Sequence, residues 1–180
     1  MRYLVFSDTH GRLSEVAALA SRCQPFDAVI GAGDFYRDGA ALAELWGKPY
    51  CGAQGNNDDE PAAPWWSLFR DRSTVGLVVH GHQWTPSARL QKMADLAKVH
   101  GARVVVFGHT HRRQDVEVAG IRLLNPGAVH RPRDNFASVG FLDIAADGHL
   151  SWRWEPVPHH AKTSLDADIE RGTQGKGGRP

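Results

Sequence analysis

Residues 104–111 read Val-Val-Val-Phe-Gly-His-Thr-His, four apolar residues followed by a polar segment that contains two histidines. A short apolar run of this kind predicts a buried β-strand. The same arrangement recurs where residues 3–6 precede Asp8, residues 28–30 precede Asp34, and residues 77–79 precede His80. Residues able to bind metal therefore follow each of four predicted strands.

The pattern between and after these strands predicts the fold class. Apolar residues within 90–97 recur at helical spacing and stop before Gly101. Beyond residue 111 the chain predicts two hairpins, one from 115–118 and 121–124 and one from 138–144 and 149–154. Since both kinds of strand need to bury an apolar face, we expect an α/β fold of two mixed β-sheets packed face to face and flanked by helices.

Length and composition predict one domain and a tail. A chain of 180 residues can bury roughly 70% of its unfolded surface in one core. We expect this domain over residues 1–157, and a flexible tail over residues 158–180, where Leu165 and Ile169 are the large aliphatic residues. The adjacent His159 and His160 are not expected to bind metal on such a tail.

Charge and cysteine content argue against several classes of protein. The formal net charge of +1, from 21 basic and 20 acidic residues, provides no extended positive surface for nucleic acid. Cys23 and Cys51 lack Cys-x-x-Cys spacing, so neither a disulfide framework nor a thiolate zinc site is expected. The apolar run at residues 3–6 is too short for a signal peptide or a membrane span. We expect a cytoplasmic protein without membrane or nucleic-acid partners.

The polar residues at the strand ends are the types that bind a pair of divalent cations. Strand ends of an α/β sheet meet in one crevice, and two ions roughly 3.5–4 Å apart need carboxylates, imidazoles and one bridging carboxylate. Alternate residues of an extended segment share a side, so two pairs spaced by one residue are each expected to reach a common site. The candidate ligands are Asp8, His10, Asp34, Asn56, His80, His109 and His111.

Each of these motifs also has an ordinary structural explanation. An Asp-Thr-His segment after a strand is more often a turn with a helix cap, and the Gly-Asn-Asn-Asp segment at residues 55–58 is typical of a surface turn. Their joint occurrence in order, after apolar strands, favours a functional site.

Five motifs resemble those of the calcineurin-like metallophosphoesterases. In chain order they are Asp8-Thr-His10, Gly33-Asp34, Gly55-Asn56-Asn57-Asp58, His80-Gly-His82 and Gly108-His109-Thr-His111. The segment Asn125-Pro-Gly-Ala128 is similar to the Asn-Pro-Gly-Ser element of the small bacterial and archaeal phosphodiesterase branch. The resemblance covers about residues 1 to 157 and implies the four-layer αββα metallophosphoesterase fold.

The resemblance implies a two-metal site in which Asp34 bridges the ions. Asp8, His10, Asp34 and His111 would hold one ion, and Asp34, Asn56, His80 and His109 the other. Manganese is the expected metal, with iron, zinc or nickel as alternatives.

The implied activity is that of a phosphodiesterase. Metal-bound water would hydrolyse small phosphate esters, nucleotides among them. The alternatives are a phosphomonoesterase, a dinucleoside-polyphosphate hydrolase, or a protein-binding scaffold like the retromer subunit that resembles this branch. A homo-oligomer is left open.

The sequence departs from the family pattern near the expected site. Asn57 stands where many relatives have histidine or cysteine; its amide can contact a phosphate oxygen but cannot act as a general acid. His82 is expected either to support a metal ligand or to contact phosphate, and Asp58 to orient a histidine. Ala128 replaces the serine of the family.

Two further groups of residues have alternative interpretations. Four arginines after the ligand motifs could contact phosphate or form surface ion pairs, such as Arg133 with Asp134, and the ion pairs are slightly favoured: Arg112, Arg113, Arg131 and Arg133. Four aromatic residues could stack on a base or pack in the core or an interface, and packing is favoured: Trp65, Trp66, Phe69 and Trp84.

Overall fold

The structure, a computed structural model, describes residues 1–23, 25–72 and 74–158. The predicted tail, with His159 and His160, lies outside the described residues apart from Pro158. The helices of the described part are α1 (Leu13–Arg22), α2 (Tyr36–Trp46) and α3 (Arg89–Val99). Its strands are β1 (Arg2–Phe6), β2 (Ala28–Gly31), β3 (Tyr50–Gly52), β4 (Trp66–Asp71), β5 (Thr74–Val79), β6 (Val104–Phe107), β7 (Arg113–Val118), β8 (Ile121–Pro126), β9 (Ser138–Ile144) and β10 (Leu150–Pro156).

These strands form two five-stranded mixed sheets. In the first sheet, with the order β10-β9-β1-β2-β3, strands β1, β2 and β3 are parallel, and β9 pairs antiparallel with β1 and β10. The second sheet has the order β4-β5-β6-β8-β7, with parallel β5, β6 and β8 in the middle and antiparallel β4 and β7 at the edges. The prediction of two mixed sheets is confirmed.

The alternation of side chains along the strands produces four layers. Tyr3 and Val5 of β1 share a buried cluster with Val104 and Val106 of β6, so the two sheets pack face to face. Leu4, which points to the opposite side of β1, packs in a second cluster with residues of α1 and α2. A third cluster joins the outer face of the second sheet to α3. The layers follow the expected order of helix, sheet, sheet and helix.

The predicted helix and both hairpins are present. Helix α3 buries Met93, Ala94 and Ala97, three of the apolar residues that gave its periodicity. Strands β7 and β8 form one hairpin, and β9 and β10 form the other. The sequence did not predict the positions of strands β3 and β4 or of helices α1 and α2. Among the described residues, no helix has the length and apolar character needed to cross a bilayer.

Candidate metal centre

The candidate metal ligands lie at the carboxyl ends of parallel strands in both sheets. Asp8 and His10 follow β1, Asp34 follows β2, Asn56 follows β3, His80 follows β5, and His109 and His111 follow β6. The backbone N–H of His109 donates to Asp8 Oδ2 at 3.2 Å, which joins the end of β6 to the end of β1. Face-to-face packing therefore extends the expected crevice across both sheets.

The backbone at these ligands is not the extended chain that their spacing predicted. The φ angles are 53° at Asp8, 47° at His10, 65° at His109 and 56° at His111, all in the left-handed region. Asp34, with φ of 52°, shares this conformation. The members of each pair approach the same site through sharp turns, so the expected proximity is present but the predicted reason for it is wrong.

Four of the candidates form a compact group. One ligand atom from each of Asp8, His10, Asp34 and His111 can be chosen so that all four lie within 4.8 Å of one another. His111 Nε2 lies 3.1 Å from Asp8 Oδ1, and His10 Nε2 lies 3.6 Å from Asp34 Oδ2. Two carboxylates and two imidazoles at these separations are a suitable donor set for a divalent cation.

The contacts of His111 and Asp8 show that this group is suited to binding a cation. His111 Nδ1 lies 2.8 Å from the carbonyl oxygen of Arg131, which can only accept, so Nδ1 carries the proton. In the neutral ring, Nε2 then presents a lone pair to Asp8 Oδ1, a buried oxygen without a hydrogen-bond partner. Two facing acceptors need a cation or a proton between them. Accordingly, the Asp8 carboxylate raises the pKa of His111.

His80 shows the same arrangement on the other side of Asp34. Its Nδ1 donates to the carbonyl oxygen of Ala32 at 2.7 Å, so the lone pair of the neutral ring is on Nε2. That atom is buried without a hydrogen-bond partner and lies 3.4 Å from Asp34 Oδ1. Asp34 therefore faces His10 with one oxygen and His80 with the other, as a bridging carboxylate would.

Asn56 and His109 complete this second half of the site. Asn56 Oδ1 and His109 Nδ1 lie 3.0 Å apart. Burial, followed by the nearby His80, lowers the pKa of His109 to about 4, so the ring is neutral near pH 7. A neutral imidazole beside an amide oxygen is a suitable donor pair for a metal ion.

Asn57 contacts Asp34 in the structure. Its side-chain Nδ2 donates to Asp34 Oδ2 at 2.6 Å, and its backbone N–H donates to Asp34 Oδ1 at 3.0 Å. The residue thus holds the central carboxylate in place. The expected contact between the Asn57 amide and phosphate stays a prediction, and it would require the amide to turn away from Asp34.

Two glycines allow the close approach of chain segments around Asp34. Gly33 has a φ of +92°, and a Cβ there would lie 2.5 Å from His80 Nδ1. A Cβ at Gly55 would collide with the carboxylate and backbone of Asp34. Glycine is needed at the first position for both conformation and space, and at the second for space.

Asp58 does not orient a histidine as predicted. Its carboxylate accepts hydrogen bonds from the backbone N–H groups of Tyr36, at 2.6 Å, and Gly55, at 2.7 Å. The side chain therefore ties the loop after β3 to the start of α2. Its contribution to the site is indirect, because these two segments flank Asp34 and Asn56.

We expect Asp58→Ala to lower the free energy of unfolding by about 1–3 kcal/mol, because two backbone N–H groups lose their acceptor. Urea denaturation of the variant and the wild-type protein measures the difference. The matched control is Asp59→Ala, whose side chain is 95% exposed and lies 4.0 Å from Arg37. This control should change stability by less than about 0.5 kcal/mol. Equal losses of stability in both variants would contradict the role of Asp58 in tying the loop after β3 to the start of α2.

His82 lies beside the second half of the site. Its ring centroid is 5.4 Å from that of His80 and 6.3 Å from that of His109. Burial lowers the pKa of His82, and its Nδ1 is buried without a hydrogen-bond partner. The ring stacks on Trp65, which is 60% exposed. Both predicted roles of His82, support of a metal ligand and contact with phosphate, stay predictions.

Sequence reasoning missed a polar group beside His10. The ring of His130 lies 5.5 Å from that of His10, and its Nδ1 accepts a hydrogen bond from Arg12 Nε at 2.9 Å. Arg12 Nη1 also lies 2.7 Å from a carboxylate oxygen of buried Glu15. The available signal was the position of His130 after β8, since β8 is another strand parallel to β6.

The arginines after the ligand motifs do not all form the predicted ion pairs. Asp134 accepts a hydrogen bond from Arg113 Nε at 3.3 Å and another from the Arg113 backbone, so the predicted pairing with Arg133 is wrong. The Arg133 N–H donates to the carbonyl oxygen of His111 at 2.9 Å, and the Arg131 carbonyl accepts from the His111 ring. The loop that carries these arginines thus fixes His111 through its backbone.

Known proteins share this sequence pattern and this fold. The calcineurin-like phosphoesterase superfamily domain matches residues 1–147. The probable metallophosphoesterase YsnB of Bacillus subtilis is 31% identical over 134 residues, which cover 74% of this chain and 78% of that protein.

Two solved structures have a similar fold. Wild-type Vps29 of Entamoeba histolytica, complexed with Zn²⁺, has a TM-score of 0.69 at 19% identity, covering 88% of this chain and 100% of that one. An archaeal phosphodiesterase has a TM-score of 0.66 at 22% identity, covering 86% of this chain and 100% of its own. At these identities, both similarities show the fold alone.

The family match extends over the whole candidate centre. It begins at residue 1 and includes every candidate ligand from Asp8 to His111. The two packed mixed sheets place those ligands together at their strand ends. The chain therefore belongs to the calcineurin-like phosphoesterase superfamily.

Proposed function

We propose that the protein is a phosphodiesterase that hydrolyses small phosphate esters with water activated by two divalent ions. The observation that carries this proposal is the position of Asp34. Its Oδ2 lies 3.6 Å from His10 Nε2 and its Oδ1 lies 3.4 Å from His80 Nε2, so one buried carboxylate serves both halves of the site. When bound, such a pair of ions lowers the pKa of a coordinated water towards about 7 and offsets charge on the phosphoryl oxygens.

The proposed ligand sets follow the two halves of the site. One ion would be held by Asp8, His10, Asp34 and His111, and the other by Asp34, Asn56, His80 and His109. Nitrogen and oxygen donors of this kind accept several transition metals, so availability contributes to the choice among them. We propose manganese, with iron, zinc and nickel as alternatives.

The unpaired buried atoms support metal binding at the proposed site. Asp8 Oδ1 and His80 Nε2 are buried without hydrogen bonds, and such atoms lower stability unless something binds them. A bound metal ion would satisfy these atoms, as the proposed hydrolase requires. The protein-binding scaffold stays the alternative, because Vps29 of Entamoeba histolytica shares this fold and was also solved with Zn²⁺.

The ester class is the finer part of the proposal. Membership in the phosphoesterase superfamily supports hydrolysis of a phosphoester bond. The resemblance of residues 125–128 to an element of the small phosphodiesterase branch favours diesters over monoesters and dinucleoside polyphosphates. A small phosphate ester, including a nucleotide derivative, is the proposed partner. The expected cytoplasmic location stays a prediction, and the oligomeric state stays open.

We expect removal of divalent metal to lower activity on bis(p-nitrophenyl) phosphate at least about tenfold, because the proposed mechanism needs activated water. The measurement compares chelator-treated protein before and after addition of manganese. The same assay is run with p-nitrophenyl phosphate, a cyclic nucleotide and a dinucleoside polyphosphate. Full activity after chelation would exclude the two-metal mechanism, and faster hydrolysis of the monoester would overturn the preference for diesters.

A further inference from the structure

Trp65 is an exposed aromatic residue at the edge of the candidate centre. It precedes β4, and 60% of its surface is exposed. Its indole stacks on the His82 imidazole, with ring centroids 5.6 Å apart and planes 29° apart. His82 in turn lies 5.4 Å from His80, a proposed metal ligand. Stacking orders the indole beside the site and leaves much of its surface exposed.

Hydrogen bonds connect the backbone of Trp65 to the loop that carries His82. Gln83 Oε1 accepts from the N–H of Gly81 at 3.0 Å, and Gln83 Nε2 donates to the carbonyl oxygen of Trp65 at 3.4 Å. The carbonyl oxygen of the preceding residue, Pro64, accepts from the N–H of Gln54 at 2.7 Å. Trp65 is thus positioned relative to His82 by its backbone as well as by its ring.

The next residue, Trp66, does not share the surroundings of Trp65. Trp66 is 37% exposed and contacts the ring of His100 at a centroid distance of 4.3 Å. His100 caps the C-terminus of α3, whereas His82 adjoins the proposed metal ligands. The two consecutive tryptophans therefore have different surroundings, and Trp65 is the one of the two that stacks on a ring of the site.

We propose that Trp65, backed by His82, forms a stacking subsite for a planar aromatic group of the substrate, and that this group is a nucleobase. An indole presents a large, rigid apolar surface whose ordering costs little conformational entropy. Base–aromatic stacking tolerates every base, so the subsite favours nucleoside esters over alkyl esters without choosing strongly among bases. The proposal rests on the proposed function, since it places the phosphate of the same ligand at the metal centre.

The test compares two ligands that share a ribose 5-phosphate group, one with adenine and one without it. Binding of adenosine 5′-monophosphate and ribose 5-phosphate to the manganese-loaded protein is measured by isothermal titration calorimetry. We expect the nucleotide to bind at least about tenfold more tightly, because stacking adds to a common phosphate contact. In Trp65→Ala the ratio of the two dissociation constants should fall to near one, and Trp65→Phe should retain part of it.

Trp66→Ala is the matched control and should keep the wild-type ratio. Three results would each overturn the subsite. They are a ratio of dissociation constants near one in the wild-type protein, an undiminished ratio in Trp65→Ala, and no measurable binding of the nucleotide. Calorimetry needs no turnover, so the two proposals can fail separately. Selective nucleotide binding without ester hydrolysis would support the subsite and reject the proposed function. Manganese-dependent diester hydrolysis, with a ratio of dissociation constants near one, would support the proposed function and reject the subsite.

Discussion

Asp34→Asn should lower hydrolysis of an aryl phosphodiester by more than about 100-fold, since even outer contacts of a metal site are worth roughly 10–100-fold. Asp34 faces His10 on one side and His80 on the other, so loss of its charge weakens both proposed ion positions. An amide in its place would also direct an NH₂ group towards a neighbouring donor, because Asn57 donates to Asp34 at 2.6 Å. Metal content per chain, measured by elemental analysis, should fall for both ions.

Two single-site variants are the controls for the bridging role. His111→Ala should empty mainly the position next to Asp8, and His80→Ala mainly the other, so each is expected to keep more metal than Asp34→Asn. Circular dichroism checks that all three proteins are folded. The same metal loss in all three would contradict the division of ligands between two ions.

The wild-type rate should fall steeply as the pKa of the leaving group rises, because Asn57 cannot donate a proton to the leaving oxygen. Asn57 is exposed and adjoins Asp34, so a histidine there would stand near the reacting phosphate. A positioned general acid contributes roughly 10²–10⁴-fold to a rate. We therefore expect Asn57→His to accelerate hydrolysis of a poor alkyl leaving group by about 100-fold or more, with a much smaller effect on a nitrophenol.

The experiment uses a series of aryl and alkyl phosphodiesters at fixed manganese concentration. Asn57→Ala is the control: it removes the hydrogen bond to Asp34 without adding a proton donor, so its leaving-group dependence should stay steep. Metal content should be the same in wild type and Asn57→His. A shallow dependence in the wild-type protein, with chemistry rate-limiting, would mean that another group supplies the proton, and His82→Gln would be the next variant to measure.

The sequence predicted those features that local pattern determines. The hairpin β7–β8 has apolar residues on both sides of an Ala119-Gly120 turn, and both turn residues have positive φ. The candidate ligands were found because each follows an apolar strand, and strand ends meet in this fold class. Strand β4 was missed because Trp66 and Arg70 are exposed on an edge strand, so its apolar periodicity is weak.

Other features depend on contacts between distant segments, and the sequence could not reveal them. Asp58 accepts from the N–H of Tyr36, 22 positions away, so its neighbours in sequence do not identify its partner. Asp134 likewise pairs with Arg113 across 21 positions instead of with the adjacent Arg133. The left-handed backbone at Asp8 and His109 could not be predicted either, since the N–H of Asp8 donates to the distant Gly33 and the N–H of His109 donates to Asp8.

The left-handed backbone at Asp8, His10, Asp34, His109 and His111 has a consequence for the evolution of the chain. Each such conformation costs of order 1–3 kcal/mol for a residue other than glycine, against a net stability of about 5–15 kcal/mol for a whole domain. Glycine would adopt these turns more readily. Selection for stability alone would therefore replace these aspartates and histidines. A lineage released from hydrolysis should lose them first, while both sheets persist.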